Sequence, residues 1–196
     1  MIKLGINRDE RELENKMKHY LLSVWNIIDP IYFHLTRLHY VLDQEHSKTL
    51  FRVRLTRYKG SRVVLSDGTV ILRNDLLIKL HLHNARLLYE LHQIKSDIRR
   101  AVYIYHMIKR ALPRLSHYIE THYRAMDIKG IIGITTLNRG AVKLGFEVIP
   151  IRNKLYRMYK TMTFSFINTL ANHQSNHEPV YLFMSKKQLT QTYTTL

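Results

Sequence analysis

Two alternating segments that bracket a tight turn constrain this chain more than any other feature. From Leu50 to Tyr58 it reads LFRVRLTRY, with Phe51, Val53 and Leu55 on one side and Arg52, Arg54 and Thr56 on the other. A side-chain period of two makes this a half-buried strand with its basic residues facing out. Asp75 to His83, DLLIKLHLH, alternates in the same way. Between them Gly60 turns the chain into Arg62–Leu65, Ser66-Asp67-Gly68-Thr69 makes a hairpin turn and Val70–Leu72 returns. Glycine accepts the positive φ that such a turn requires, so Asp67-Gly68 reads as turn chemistry and not as a metal site. Antiparallel sheet is therefore unavoidable in the middle of the chain.

The flanks are mostly helical. Leu13, Met17, Tyr20, Leu21, Val24, Trp25 and Ile28 recur at the spacing of an amphipathic helix, which Pro30 interrupts before a second helical piece over Ile31–Tyr40. A long helix is expected over Asn84–Leu112, with Asn84 as its N-cap and Leu87, Leu91, Ile94, Ile98, Val102, Tyr105 and Ile108 along one stripe. Pro113 kinks or ends it before Arg114–Tyr123 continues. Gly130–Leu137 is the apolar run of a central strand, Asn138 caps a short helix ending at Gly145, and Phe146–Ile151 is a further strand. These three pieces read as a strand–helix–strand unit with parallel neighbours. A basic helix over Asn153–Ala171, a polar loop, a strand over Val180–Met184 and a short helix capped by Ser185 complete the chain. The fold class is α/β (α+β): a mixed sheet with an antiparallel hairpin portion and a strand–helix–strand unit, flanked by one long and several shorter helices.

A length of 196 residues suits a charged extension over 1–19 followed by one domain over 20–196, with Met1 and Met17 both open as start sites. The lack of cysteine excludes disulfides, iron–sulfur clusters and thiol nucleophiles. The most apolar stretch, Tyr20–Ile28, is nine residues long and followed by Asp29-Pro30, too short for a transmembrane span, which takes about 20 residues. The expected location is the cytoplasm, with peripheral attachment at the inner membrane face left open. A formal charge of +16 then becomes the main clue to partners. No acid lies between Glu45 and Asp67, where Arg52, Arg54, Arg57, Lys59 and Arg62 accumulate, and none between Glu147 and Glu178, which holds Arg152, Lys154, Arg157 and Lys160. Arg99, Arg100, Lys109, Arg110 and Arg114 form a third group. Such a surface suits anionic partners: nucleic acid, phosphorylated sugars, acidic polymer or a lipid head group. A merely solvating role is the plain alternative.

Few residues announce chemistry. His81 and His83 point to one side of their strand, and Asn84 opens the helix that follows, where free amides favour an anion. No third ligand stands at a metal-binding spacing, so neither a metal nor a cofactor is expected, and a structural role for both histidines competes with ligand binding. Asn138-Arg139-Gly140 falls at a strand-to-helix junction, the usual ligand site of open α/β sheets, and Arg139 can grip phosphate or carboxylate in bidentate fashion. The plain reading is an N-cap beside a solvated arginine. Glu147 becomes a general base only if the fold brings it to that junction. Trp25, Tyr32 and Phe33 suit an aromatic face or simple core packing. Tyr156, Tyr159, Phe164 and Phe166 interleave with Arg157 and Lys160, a mixture suited to stacking or equally to core. No nucleotide-binding, zinc-protease or serine-hydrolase motif is present, and whether the chain is an enzyme stays open.

The order of Ile28-Asp29-Pro30, FRVRLTRYKG, the DGT hairpin, the segment Asn74–Asn84 and GITTLNRGAVKLGFEV over Gly133–Val148 resembles the YkoP-like family. This is a bacterial domain that occurs alone or fused behind polysaccharide deacetylase modules. The resemblance runs from about Tyr20 to the end and implies a place in cell-envelope glycan metabolism. It also implies that His81, Asn84 and the pair Arg139-Gly140 are the polar residues most tied to the family pattern, with His83 variable. The combined expectation is a pocket of His81, Asn84, Asn138 and Arg139, with Arg52 and Arg54 as outer contacts, for an anionic glycan, sugar phosphate or lipid-linked saccharide. The alternatives are a nucleic-acid-binding module and a peripheral membrane or partner-binding protein using Tyr20–Ile28.

Overall fold

The alternation at 50–58 yields strand β2 (Lys48–Arg57), which sends Phe51 and Val53 into the core with no exposed surface. The structure is a computed structural model that describes Ser23 and residues 37–91, 94, 96–122, 124–136, 138, 140–170 and 178–194. The expected N-terminal extension and helix, Trp25, Tyr32, Phe33, Arg139 and most of the loop before Val180 lie outside the described residues. Strand β1 (His39–Leu42) precedes β2 and pairs with it antiparallel. The expected helix over 31–40 therefore does not reach its end: Tyr40 is a strand residue.

The hairpin forms as anticipated. β3 (Val63–Val64) and β4 (Val70–Ile71) pair around Gly68, whose φ of 83° needs a residue without Cβ strain. The Gly68 amide donates to the Leu65 carbonyl and the Thr69 amide to Asp67 Oδ1 at 2.9 Å. The second alternating segment becomes β5 (Leu76–Leu82), antiparallel to β2 from Phe51↔Leu82 to Arg57↔Leu76.

Helix formation after β5 is interrupted. In place of one helix over 84–112 there are two, α1 (Asn84–Leu91) and α2 (Asp97–Glu120), the second with Pro113 inside it. Ser96 breaks the run because its side chain accepts from the Arg99 amide and starts a new helix. Asn84 is the first helical residue, while the His83 carbonyl accepts from the Leu87 amide. Strand β6 (Ile128–Thr135) then lies parallel to β5.

The strand–helix–strand unit with parallel neighbours is thus β5–α1–α2–β6, not the segment after Gly130. β7 (Glu147–Pro150) does follow β6, but a single 3-10 turn over Val142–Leu144 joins them, and β8 (Val180–Ser185) inserts between them, antiparallel to both. Asn138 does not cap that turn, which begins at Ala141 without a side-chain cap; Gly145 ends it in the left-handed region, as its position suggested. Helix α3 (Lys154–Leu170) joins β7 to β8 and α4 (Lys186–Tyr193) closes the chain. The six-stranded sheet has the order β1-β2-β5-β6-β8-β7, an α+β architecture. Among the described residues no helix is long and apolar enough to cross a membrane.

The two faces of the sheet are packed differently. One carries Phe51, Val53, Ile78, Ile131 and Met184 against Leu112, Leu115 and Ile119 of α2 and Leu189 of α4. On the other, Leu77, Ile132 and Phe183 are covered by Leu65 and Ile71 of the hairpin. The hairpin is fastened by polar links: Glu147 accepts from the amide and hydroxyl of Ser66, and the Ser185 hydroxyl donates to Asp67. Burial pushes the Asp67 carboxyl up, but the hydrogen bonds from Ser185 and Thr69 and the nearby Lys187 together hold it below its ordinary range. Ser185 is buried and also caps α4, accepting from the Gln188 amide at 2.8 Å. Ser185→Ala is therefore expected to destabilise by about 1–3 kcal/mol, the loss of a cap and a buried hydrogen bond together. Urea denaturation measures it, and a change below about 0.5 kcal/mol would contradict the double role of Ser185.

Candidate anion-binding site

The hairpin covers only one end of this second face, and the other end is cationic. Antiparallel partners project to the same side, so the register Arg52↔His81 and Arg54↔Lys79 gathers four basic side chains on β2 and β5. Tyr40 of β1 is the next partner in the row, opposite Arg52. The Arg52 guanidinium donates to the Tyr40 hydroxyl at 2.7 Å and lies 5.0 Å from the centre of its ring. His83 meets the edge of the same ring. Arg52 is 4% exposed, so the expectation that the basic side of β2 simply faces solvent is corrected. Tyr40 is part of what covers it.

Helix α3 brings a further cation from above. Asn153 holds its first turn, its side chain accepting from the Tyr156 amide, and Arg157 pairs with Glu178 at 3.3 Å. Tyr156 stacks on Tyr181 of β8 with ring centres 6.4 Å apart and planes 19° from parallel. This seats Lys160 over the rings of Tyr156 and Tyr159 at 5.6 and 5.3 Å. Tyr159 is exposed, Phe164 half-buried, and the side chain of Phe166 lies outside the described residues.

Burial and neighbouring cations act in the same direction on three groups of this face. Burial, then Lys79, Arg54, Lys160 and Arg52, push the His81 pKa down to about 3, so the ring is neutral at any physiological pH. Burial and the charges of Arg54 and Lys160 bring Lys79 down to about 8, and burial with Arg54 also lowers Lys160. The neighbouring charges that lower them are those of Arg52, Arg54, Lys79 and Lys160. Strongly shifted acidities gathered on one sheet face mark a candidate functional site.

The sequence-derived candidates separate here. Arg52, Arg54 and His81 come together on one face of β2 and β5. Asn84 starts α1 just past the end of β5. Asn138 lies past the end of β6, its carbonyl accepting from the Ala141 amide, in a turn whose Gly140 abuts Tyr105 of α2. No hydrogen bond among the described residues joins Asn138 to the arginines. Glu147 is bound to Ser66 and does not reach the Asn138 junction. Lys79 and Tyr40 were not singled out from sequence, although Lys79 stands two residues before His81 in the same alternation, whereas Lys160 was named only in the basic and aromatic mixture of its helix.

An α+β domain with a mixed sheet and a polar, cation-lined end on one face is the class of protein these features define. The chain belongs to the YkoP family: the model of the YkoP domain matches residues 18–193. A Bacillus subtilis (strain 168) protein described as uncharacterized protein YkoP is 46% identical over 181 residues, covering 90% of this chain and 98% of that one. No solved structure matches.

Proposed function

We propose that this YkoP domain binds an anionic ligand of the sugar-phosphate, anionic glycan or lipid-linked saccharide class, on the sheet face where Arg52, Arg54, Lys79 and Lys160 converge. The observation that carries the reading is the register that sets Arg54 opposite Lys79 and Arg52 opposite neutral His81. A phosphoryl group is the kind of anion that arginine and lysine side chains hold through charge-assisted hydrogen bonds. Tyr156, Tyr181 and Tyr159 supply an aromatic shelf beside the cations for the apolar face of a sugar ring. Asn84, Asn138 and Arg139 complete the pocket in this proposal, since β5 and β6 run parallel and ligands favour the carboxyl ends of parallel strands. A place in cell-envelope polysaccharide metabolism follows from the ligand class and the family resemblance.

Nucleic acid is the competing partner. Calorimetry with phosphate, sugar phosphates and short oligonucleotides at two salt concentrations separates the readings. Saturable, moderately salt-sensitive binding of the sugar phosphates supports the pocket; binding of oligonucleotides alone, weakening steeply with salt, would replace it by a nucleic-acid module.

The pH dependence has a definite sign. Sulfate keeps its charge across the neutral and alkaline range, whereas Lys79 loses its proton as pH rises through about 8. Binding an anion favours protonated Lys79, so sulfate affinity is expected to fall between pH 7 and pH 9.5, by about tenfold for loss of one charged hydrogen bond. Titration calorimetry of the wild type and Lys79→Gln reads this directly. A profile that is equally steep in Lys79→Gln would remove Lys79 from the site.

A further inference from the structure

We infer that the outward face of helix α3 is a membrane-docking surface, which lays Leu155, Met158, Tyr159 and Met162 into the head-group layer of an anionic bilayer. Docking there does not depend on what the cation-lined end of the sheet binds.

Helix α3 carries two opposed stripes. Tyr156, Lys160 and Phe164 recur every four residues and so share one side of the helix. This is the packed side: Tyr156 stacks on Tyr181 of β8, and all three side chains are half-buried. Leu155, Met158, Tyr159 and Met162 follow the i, i+3, i+4, i+7 spacing on the opposite side and are 75, 58, 59 and 68% exposed. Single exposed apolar residues are ordinary, but four that adjoin on one helix face make a patch, and such patches mark interaction sites. A helix that faced only water would carry polar residues at these positions.

The surroundings select an anionic lipid surface. No Asp or Glu occurs between Glu147 and Glu178, while α3 and its entry hold Arg152, Lys154, Arg157 and Lys160. Arg152 and Lys154 are exposed where the helix starts. Leucine and methionine with a tyrosine among them, bordered by lysine and arginine, match the composition of helices that lie in a bilayer interface. From Leu155 to Met162 the patch is about 10 Å long at the helical rise. One helix face of that length is small against the roughly 800 Å² per partner of a stable protein interface. An interfacial helix needs only a shallow apolar strip reinforced by attraction to anionic lipids. The helix lies on the membrane and does not cross it, since no described helix is long and apolar enough to do so. With α3 over the second face of the sheet and α4 packed on the first, docking holds α4 away from the lipid.

The test is flotation of the full chain with vesicles of phosphatidylcholine alone and of phosphatidylcholine mixed with phosphatidylglycerol. The expected result is binding to the mixed vesicles, about tenfold or more tighter than to phosphatidylcholine alone. The double variant Leu155→Gln/Met162→Gln should lose about tenfold or more of that binding, and Lys154→Gln about fivefold. Both apolar positions are exposed, so the double variant should melt within about 2 °C of the wild type. A second readout uses the lack of cysteine: Met158→Cys places a unique thiol for an environment-sensitive fluorophore on the patch. Its emission should move to the blue with mixed vesicles, whereas the same label at the exposed Gln191→Cys of α4 should not respond. Wild-type affinity in the double variant, or equal blue shifts at both labels, would overturn the proposal and leave attachment to charge alone. A lack of flotation, with a label at Met158→Cys that turns blue only as protein concentration rises, would overturn it in favour of a second copy of this chain.

Discussion

Arg54→Met is expected to weaken phosphate binding by about 10- to 100-fold and to raise the pKa of Lys79 in the unliganded protein. The first part follows from removing a charged hydrogen-bond donor, a contact that contributes about 1.5–3 kcal/mol. The second follows from the sign of the local field. Arg54 pushes Lys79, His81 and Lys160 toward their neutral forms. Methionine keeps much of the apolar stem that packs beside the sheet and removes the charge. Phosphate calorimetry, a pH titration of Lys79 and a thermal melt of the variant measure these effects. If Tm drops by more than about 4 °C and phosphate affinity is unchanged, Arg54 is a packing residue and the site must be sought elsewhere.

Gly130→Ala should be among the most damaging single-methyl additions in the molecule. A Cβ on Gly130 would stand 2.4 Å from the Met184 carbonyl oxygen and 3.0 Å from the Ser185 Cα, both backbone atoms of β8. Backbone in the centre of a sheet cannot swing aside as a side chain can. The register between β5 and β6 already shifts at Leu76/Leu77, beside Gly130, so the strands have little further freedom there. A cost of about 3 kcal/mol is expected, at the upper end for overpacking, corresponding to a fall in Tm of about 6–12 °C. Gly133→Ala is the control: its nearest contact would be the Leu182 Cβ at an ordinary 3.7 Å. Equal melting temperatures for the two variants would show that β8 moves to make room.

These two residues also mark the limits of what could be read along the chain. Gly130 looked like the mere start of an apolar run, because nothing local reveals that β8, some fifty residues later, will cross it. Arg52 looked like a solvated strand residue because a period of two reports which side a residue takes, not what covers that side. The cover includes Tyr40, whose surroundings suggested helix, and its partners are set by the β1–β2 register. The single long helix expected over 84–112 is divided because a serine that reads as neutral in a helical stripe instead caps a new start. The strand–helix–strand unit was anticipated, but insertion of β8 between β6 and β7 moved it to β5 and β6.

By itself, then, the sequence determined what depends on near neighbours: the alternating strands β2 and β5, the Gly68 turn, the left-handed end at Gly145, the Ser185 cap and the excess of positive charge. Those features arise from backbone sterics, side-chain period and hydrogen bonds spanning a few residues. Tertiary structure alone decided which strands became neighbours, and so which charges meet. Arg54 and Lys79 are twenty-five residues apart in sequence and directly opposite in the sheet, and Lys160 joins them from a helix almost at the other end of the chain. Electrostatic coupling depends on distance through space and on burial, and neither is fixed until the sheet order is.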